Sequence, residues 1–460
     1  MSPGERSLPA ARGAPARWRN TLLPVQMQRV ALTAGLDDLR ATIVRTGEAG
    51  CVEIECDGPS SDAASAPSDK DLISRYTDAA TRHDETAALT GWCPAAEVPR
   101  LAARLAQVGG AVVVLPRPRG VDPPTLLQDA GTTRQAFSPL VRAYGTVPYA
   151  DLDPTLLAGL SYILMFGLMF GDAGHGALLV GCALLLRSGR IRLLAGVRHL
   201  WPFVAGAGLA ATACGLLYGE FFGPTGLVPA LWLKPLDKPL PLLGYAIAFG
   251  AVLLAIAYGV GTANRWREGG PGAALYAVSG VAGSVLFLGA ALGCAGALAH
   301  SVPLVTAGAA LALLGIIAAG IGLAMVSPRG AAGGFQVGIG LFDLVTRIGS
   351  NVVSFARLAA FGLTHAALGD VIWRGTSGLA HHGPVGVCGA ALLFLAGNAL
   401  AFALEGLVAG VQAMRLEYYE LFSRVFVDQG RPFRPWHVPA ARGYTAASAE
   451  KTAAPIKEAS

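Results

Sequence analysis

From Gly269 to Pro328 the chain runs for 60 residues without one Asp, Glu, Lys or Arg. Water-soluble folds have no place for such a run, whereas a bilayer takes one helix for about every 20 apolar residues. The run must therefore cross, turn back once and cross again, and His300–Pro303 is the natural reversal. Uncharged stretches at 199–219 and 239–264 read as further spans. Two shorter ones, 154–171 and 173–186, are split by Asp172, and two more, 344–374 and 384–423, carry isolated charges. Together these predict eight spans. Charged residues make up 14% of the chain, against about 25% in soluble domains, and 32 of the 65 lie in the first 150 positions. This distribution excludes a single soluble domain and a disordered chain. A net charge of +5, spread rather than gathered on one face, argues against nucleic-acid binding.

Arginines flanking the spans set an orientation by the positive-inside rule. Arg187, Arg190, Arg192 and Arg198 follow the second span, Arg265 and Arg267 the fourth, Arg329 the sixth, and Arg424, Arg431 and Arg434 the eighth. With eight spans all four groups share the side of both termini, which makes that side cytoplasmic. The opposite loops (221–238, around His300, and 375–383) hold only Lys234 and Lys238 as cations.

The N-terminal part is different. Residues 1–26 are basic, rich in Pro, Ala and Arg, and read as a disordered tail. Residues 28–56 read as strand, helix, strand, and 59–69 as a linker. Residues 70–86 suit a polar helix, 88–92 a strand, 94–108 a helix and 109–118 a buried strand, followed by a Pro-rich connector over 117–150. The predicted fold class is thus an all-α polytopic membrane domain of about eight helices over 151–428, with a small α+β domain over 27–135. A connector (136–150) joins the two, and 429–460 is a C-terminal tail. The seven cysteines form no CxxC pair, so neither a disulfide framework nor a metal or cofactor site is expected. No GxxxxGK[ST] pattern occurs, so the chain is not expected to hydrolyse ATP.

Ionisable groups inside lipid cost about 2.5–3.5 kcal/mol each on insertion scales and mark functional sites by default. Here they gather in the last two spans: Asp343, Arg347, Arg357, His365 and Asp370, then Glu405, Arg415, Glu417 and Glu420. At 100° per residue, Ser350 and Ser354 share a helix face with Arg357, and His365 lies about 12 Å further along. If the two spans run antiparallel, Arg415 approaches the level of Arg357 and Glu405 lies toward the outer half. Two plainer readings of Arg357 are a structural cation paired with Glu405, or a snorkelling side chain. His365 can exchange a proton near neutral pH. Asp172 and His175 read as turn residues, and Gly171, Gly174 and Gly176 as close-packing positions.

The segments "YGTVPYADLDPT", "LMFGDAGHG", "YGEFFGPTG", "SNVVSFARLAAFGLTHAAL" and "EGLVAGVQAMRLEYYEL" occur in this order. Together, over about 87–436, the chain resembles the a/I subunit of V-type and archaeal A-type rotary ATPases. The resemblance implies a non-catalytic subunit whose cytoplasmic N-terminal domain joins peripheral stalks and whose last two long, tilted helices face a rotating proteolipid ring. By position, Arg357 falls on the arginine facing the ring carboxylates and Arg415 on a second arginine. Glu405 and His365 fall on the outer half-channel, and Asp343 on the cytoplasmic access path, where many relatives carry Glu. Ser350, Ser354, Gln412 and Glu420 are candidate channel-lining residues; Gln412 stands where many eukaryotic members have His. The implied partners are the ring, peripheral-stalk subunits, the central-stalk collar, and indirectly the catalytic head of A and B subunits, all at a cell membrane. The segment between Cys56 and Leu89 lacks the family's long coiled-coil arm, so one lobe of the N-terminal domain is expected to be missing. The competing classes are a stand-alone ion-coupled secondary transporter and a non-conducting structural stator.

Overall fold

The structure, a computed structural model, describes residues 23–55, 69–118, 120–128, 131–190, 192–426 and 430–437. The tail at 1–22, Cys56, the linker at 59–68 and the last residues 438–460 lie outside the described residues. The described residues divide into two units, one built from 24–126 with 431–437, the other from 127–430 with residue 23.

In the smaller unit, β1 (Met27–Gly35), β2 (Glu53–Ile54), β3 (Thr81–His83), β4 (Thr86–Pro94) and β5 (Ala111–Leu115) make one antiparallel sheet ordered β2-β4-β1-β5, with β3 also on β4. Helices α1 (Leu39–Ala49), α2 (Asp69–Ala79) and α3 (Val98–Leu105) complete it. The core gathers Val30, Leu32, Ile43, Leu89, Leu101 and Leu105. Three expectations are corrected. The helix expected over 70–86 stops at Ala79, because Asp84 adopts a left-handed φ of 50° and turns β3 into β4, a conformation Asp tolerates. The strand expected to be buried, β5, is an edge strand paired only with β1, and Val113 and Val114 are nearly half exposed. Finally, 431–437 are no free tail: Arg431 pairs with Glu53, and Trp436 donates from its backbone to Val52 and stacks edge-on against Tyr76 at 4.9 Å.

The larger unit is helical: α4 (Thr132–Tyr144), α5 (Thr155–Met169), α6 (Ala173–Ser188), α7 (Trp201–Tyr218), α8 (Pro239–Tyr276), α9 (Val281–Leu298), α10 (Val302–Val326), α11 (Ala331–Ser354), α12 (Ala356–Ala380) and α13 (Gly383–Leu416). Among the described residues, six helical stretches are long and apolar enough to cross a membrane. α5 and α6, of 15 and 16 residues, reach only about 23 Å at 1.5 Å per residue, short of a hydrocarbon core of about 30 Å. The long uncharged run does turn back at 299–301, where His300 takes a φ of 50°, but it is also interrupted between α8 and α9. The stretch read as a connector contains α4, with Pro139 inside it, and the boundary placed at 135 falls within that helix.

Bare backbone lets these helices meet. A Cβ on Gly289 would strike Ala312 of α10, and one on Gly315 would strike Leu286 of α9, the small-residue seam typical of helix pairs in lipid. The seventh expected span is broken rather than continuous. α11 ends at Ser354 and α12 starts at Ala356, and Phe355 between them is fully buried against Gly250 of α8. α13 runs 34 residues and continues into a π-helical segment, Glu417–Phe422; such wider turns often mark functional positions.

Candidate functional site

The break at Phe355 places Arg357 in the first turn of α12. Its Nε donates to the Ser354 carbonyl at 3.1 Å and its terminal nitrogen reaches Glu420 Oε1 at 3.5 Å. A well-made charge-assisted contact is about 2.7–2.9 Å, so this pair is loose, and the Arg357 side chain keeps 26% of its surface open. Glu420, buried in the π-helical segment, is held from its other side by Asn351. With its amide oxygen toward Arg424, Asn351 donates to Glu420 Oε2 at 2.8 Å and accepts from Arg424 at 2.9 Å. Arg424 is buried, with its guanidinium 5.4 Å from the Tyr258 ring centre. It was expected among the interfacial arginines and belongs instead to this network. Arg415 lies near enough to act on Arg357, is exposed, and among the described residues makes no ion pair.

A structural pairing of Arg357 with Glu405 is therefore corrected: Glu405 contacts His365 Nδ1, and Arg357 meets Glu420. Helix period could not choose between the two acids, since both lie on the last long helical stretch. Ser350 is exposed, whereas Ser354 accepts from Arg357 at its carbonyl and turns its side chain to Glu420, the acid that Arg357 meets. Asp343 is exposed and tied to Arg347 at 2.6 Å, one turn away. Gln412 has a buried Oε1 without a partner.

A second group forms around His365. Phe170 lies 5.0 Å from the His365 ring and His175 5.6 Å from it. Asp172 caps α6, its Oδ1 accepting from the His175 amide at 2.9 Å and from Phe222 N at 3.0 Å, its Oδ2 from Gly223 N at 2.8 Å. Glu220 is buried beside them. Glu417 is a third buried acid, accepting from the Ser161 hydroxyl at 2.7 Å.

The turn ahead of α5 holds a buried acid of another kind. Asp151 has no exposed surface, and neither carboxylate oxygen meets a hydrogen-bond donor; its nearest polar neighbour is the Glu268 carboxylate. Burial, and then the neighbouring Glu268 carboxylate, push its pKa up to about 8, against the opposing pull of Arg265 and Arg267. The folded chain thus holds this proton more tightly than the unfolded one. The stabilisation is complete below the ordinary carboxylate value and is lost as pH rises through about 8. Asp151→Asn should flatten that decline: its thermal midpoint in detergent should fall less between pH 5 and pH 8 than that of the unaltered chain. Parallel curves would refute the assignment.

Residues 77–225 match the sequence profile of the V-type ATPase 116kDa subunit family. Over 398 residues, 80% of the chain, it is 26% identical to the A-type ATP synthase subunit I of Thermococcus kodakarensis. Within 77–225 the chain thus carries that family's profile, and its likeness to the archaeal subunits extends well beyond those residues. It is similar also to the A-type ATP synthase subunit I of Aeropyrum pernix, at 30% identity over 71% of the chain and 52% of that protein. A segment covering 35% of the chain is 35% identical to the V-type ATP synthase subunit I 2 of Treponema pallidum, over 38% of that protein. The Thermococcus match covers 57% of its relative, so the chain spans about half the length of the curated archaeal relatives it matches.

Reading the family's motifs as segments missed what links them. Asn351, Arg424 and Ser161 meet the buried acids Glu420 and Glu417 only in three dimensions. Asn351 did carry a signal, an amide beside the arginine motif in an otherwise apolar run. Glu220 carried one too, as the single acid of "YGEFFGPTG".

Proposed function

We propose that this chain is the membrane stator subunit of an A/V-type rotary ATPase, carrying protons or sodium ions past a rotating proteolipid ring and coupling that flow to ATP hydrolysis or synthesis in other subunits. The reading adds the short pair α5 and α6 to the six longer stretches for eight spans. It places both termini in the cytoplasm, assigns the sheet unit to peripheral-stalk subunits, and tilts α12 and α13 against the ring.

The observation that carries it is Arg357: a permanent cation at a helix break, loosely held and partly open, with an unpaired Arg415 close by. A ring carboxylate crosses lipid only when neutral, at the cost already given for charges. Beside a guanidinium its ionised form is favoured and the ion leaves. Arginine keeps its own proton, so it separates the two half-channels without leaking. On the outer side, Glu405 and His365 hand ions between water and ring. Asp343, Ser350 and Gln412 line or border the inner approach. One charge moved through 100 mV supplies about 2.3 kcal/mol.

Glu405→Gln should keep the complex assembled and slow ATP-driven transport at least about tenfold, since a positioned acid–base group contributes about 10²–10⁴-fold. Normal transport at every pH would reject the half-channel role. Co-purification with a proteolipid ring and catalytic head subunits checks the assembly; isolation without them would favour a stand-alone transporter.

A further inference from the structure

Asp172, His175 and His365 each bring one ligand atom within 4.8 Å of the others, and all three are buried, at 0%, 2% and 5% exposure. Both ring nitrogens of His175 are buried and neither makes a well-formed hydrogen bond, the nearest carboxylate oxygen being Asp172 Oδ1, 3.7 Å from Nδ1. Buried polar groups left unsatisfied are costly and are normally explained by a water or an ion. With Nδ1–H donating to Glu405, the neutral His365 ring keeps a free lone pair on Nε2. A carboxylate behind a histidine is the arrangement that orients an imidazole toward a metal. Asp172 spends three of roughly four acceptor positions on backbone amides, which fixes the carboxylate and leaves one position open. The strongest charges acting on His175, His365 and Glu220 are acids and imidazoles, with no arginine or lysine among them. Buried carboxylates so placed call for a cation.

We propose that Asp172, His175 and His365 form a site for a divalent transition-metal ion of the zinc class, seated beside the Glu405 contact and able to close it. Two imidazoles and a carboxylate suit zinc, whose bonds of about 2.0–2.2 Å put tetrahedral ligands about 3.4 Å apart. Side-chain adjustments of about 1 Å bring the three atoms in from their present spacing. Phe170, stacked on His175 at 5.6 Å, and Phe222, edge-on at 5.2 Å, wall the site from lipid. Glu405, 17% open, marks the way in for the ion and for a water as fourth ligand. Asp172 and His175 lie far from His365 in sequence, so no motif spacing announces the site, and the sequence-based expectation of no metal is revised.

The site itself stands on these contacts; its effect on ion flow rests on the half-channel role given to Glu405 and His365. The test uses the complete complex in detergent, loaded with Zn2+ alone, dialysed, and examined by X-ray absorption at the zinc edge. One ion per copy of this chain, with two imidazoles in its first shell, is expected. His175→Gln, whose ring makes no hydrogen bond to lose, should assemble, pump normally without zinc, and weaken zinc binding by more than the roughly 10–100-fold that an outer partner contributes. Glu405→Gln should weaken it within that range. No retained ion, a first shell without imidazole, or unchanged affinity in His175→Gln would overturn the proposal. The spectrum of the unaltered complex decides the matter even if the variant fails to assemble. Zinc should also stop ATP-driven transport in the unaltered complex but not in His175→Gln. A bound ion with the two-imidazole signature and undiminished transport would uphold the site and count against the half-channel role.

Discussion

Replacing Arg357 with Ala should abolish ATP-driven ion uptake into sealed vesicles while the chain still inserts and assembles. Arg357 makes one contact to a carbonyl and one loose contact to Glu420, and Glu420 keeps Asn351 as a donor. The fold therefore loses little. On the proposed role, transport loses the cation that favours an ionised ring carboxyl at that depth. A penalty of about 2.5–3.5 kcal/mol is a slowing of roughly a hundredfold or more, at 1.36 kcal/mol per tenfold. Arg357→Lys keeps the charge but offers a compact ammonium in place of the planar fork, and should fall between. Arg415 cannot substitute, because it sits on a different helix with no partner holding it in place. Uptake above about a tenth of normal in Arg357→Ala, a loss of less than the 1.36 kcal/mol that one decade represents, would sink the role. Loss of the assembled complex on a native gel would instead show Arg357 to be a structural cation.

Long uncharged runs announced most helices because lipid leaves a backbone only one way to satisfy itself within a single segment. That logic sees a run and not its interruptions. The break at Phe355 comes from a long-range fit, an aromatic ring seated on the bare backbone of Gly250, and nothing within "SNVVSFARLAAF" marks it. The same limit hid the partners of the charged groups. Residue type and depth picked out Arg357, His365, Glu405 and Glu420, but which acid meets which base depends on the rotation of α12 against α13 and on the wider turn at Glu417–Phe422. In the sheet unit, alternation found β1 and β4 readily. It could not tell that β5 lies at an edge, since an apolar edge strand and a buried central one read alike over five residues.

Asp172 shows how a residue read as a mere turn former can hold a site together, and Asp172→Ala should be the most destabilising single change in the larger unit. The carboxylate caps α6 and closes the loop after α7 through Phe222 and Gly223. Both of those residues have left-handed backbone, with φ of 52° and 89°. For phenylalanine that conformation costs about 1–2 kcal/mol and persists because the carboxylate holds its amide. Removing the cap costs about 1 kcal/mol, and each buried amide left without its charged acceptor about 1.5–3 kcal/mol. The sum, about 4–7 kcal/mol by these measures, is a large part of the 5–15 kcal/mol by which folded chains are typically stable. The expected result is a chain degraded in membranes, or one whose thermal midpoint in detergent falls by more than 10 °C, at roughly 2–4 °C per kcal/mol for a unit of this size. Asp172→Asn keeps one acceptor oxygen and should recover about half of the loss, because that oxygen can serve His175 N and Phe222 N but not Gly223 N. An alanine variant as stable as the unaltered chain would show that the loop after α7 is held by packing on Gly369 of α12 rather than by the carboxylate.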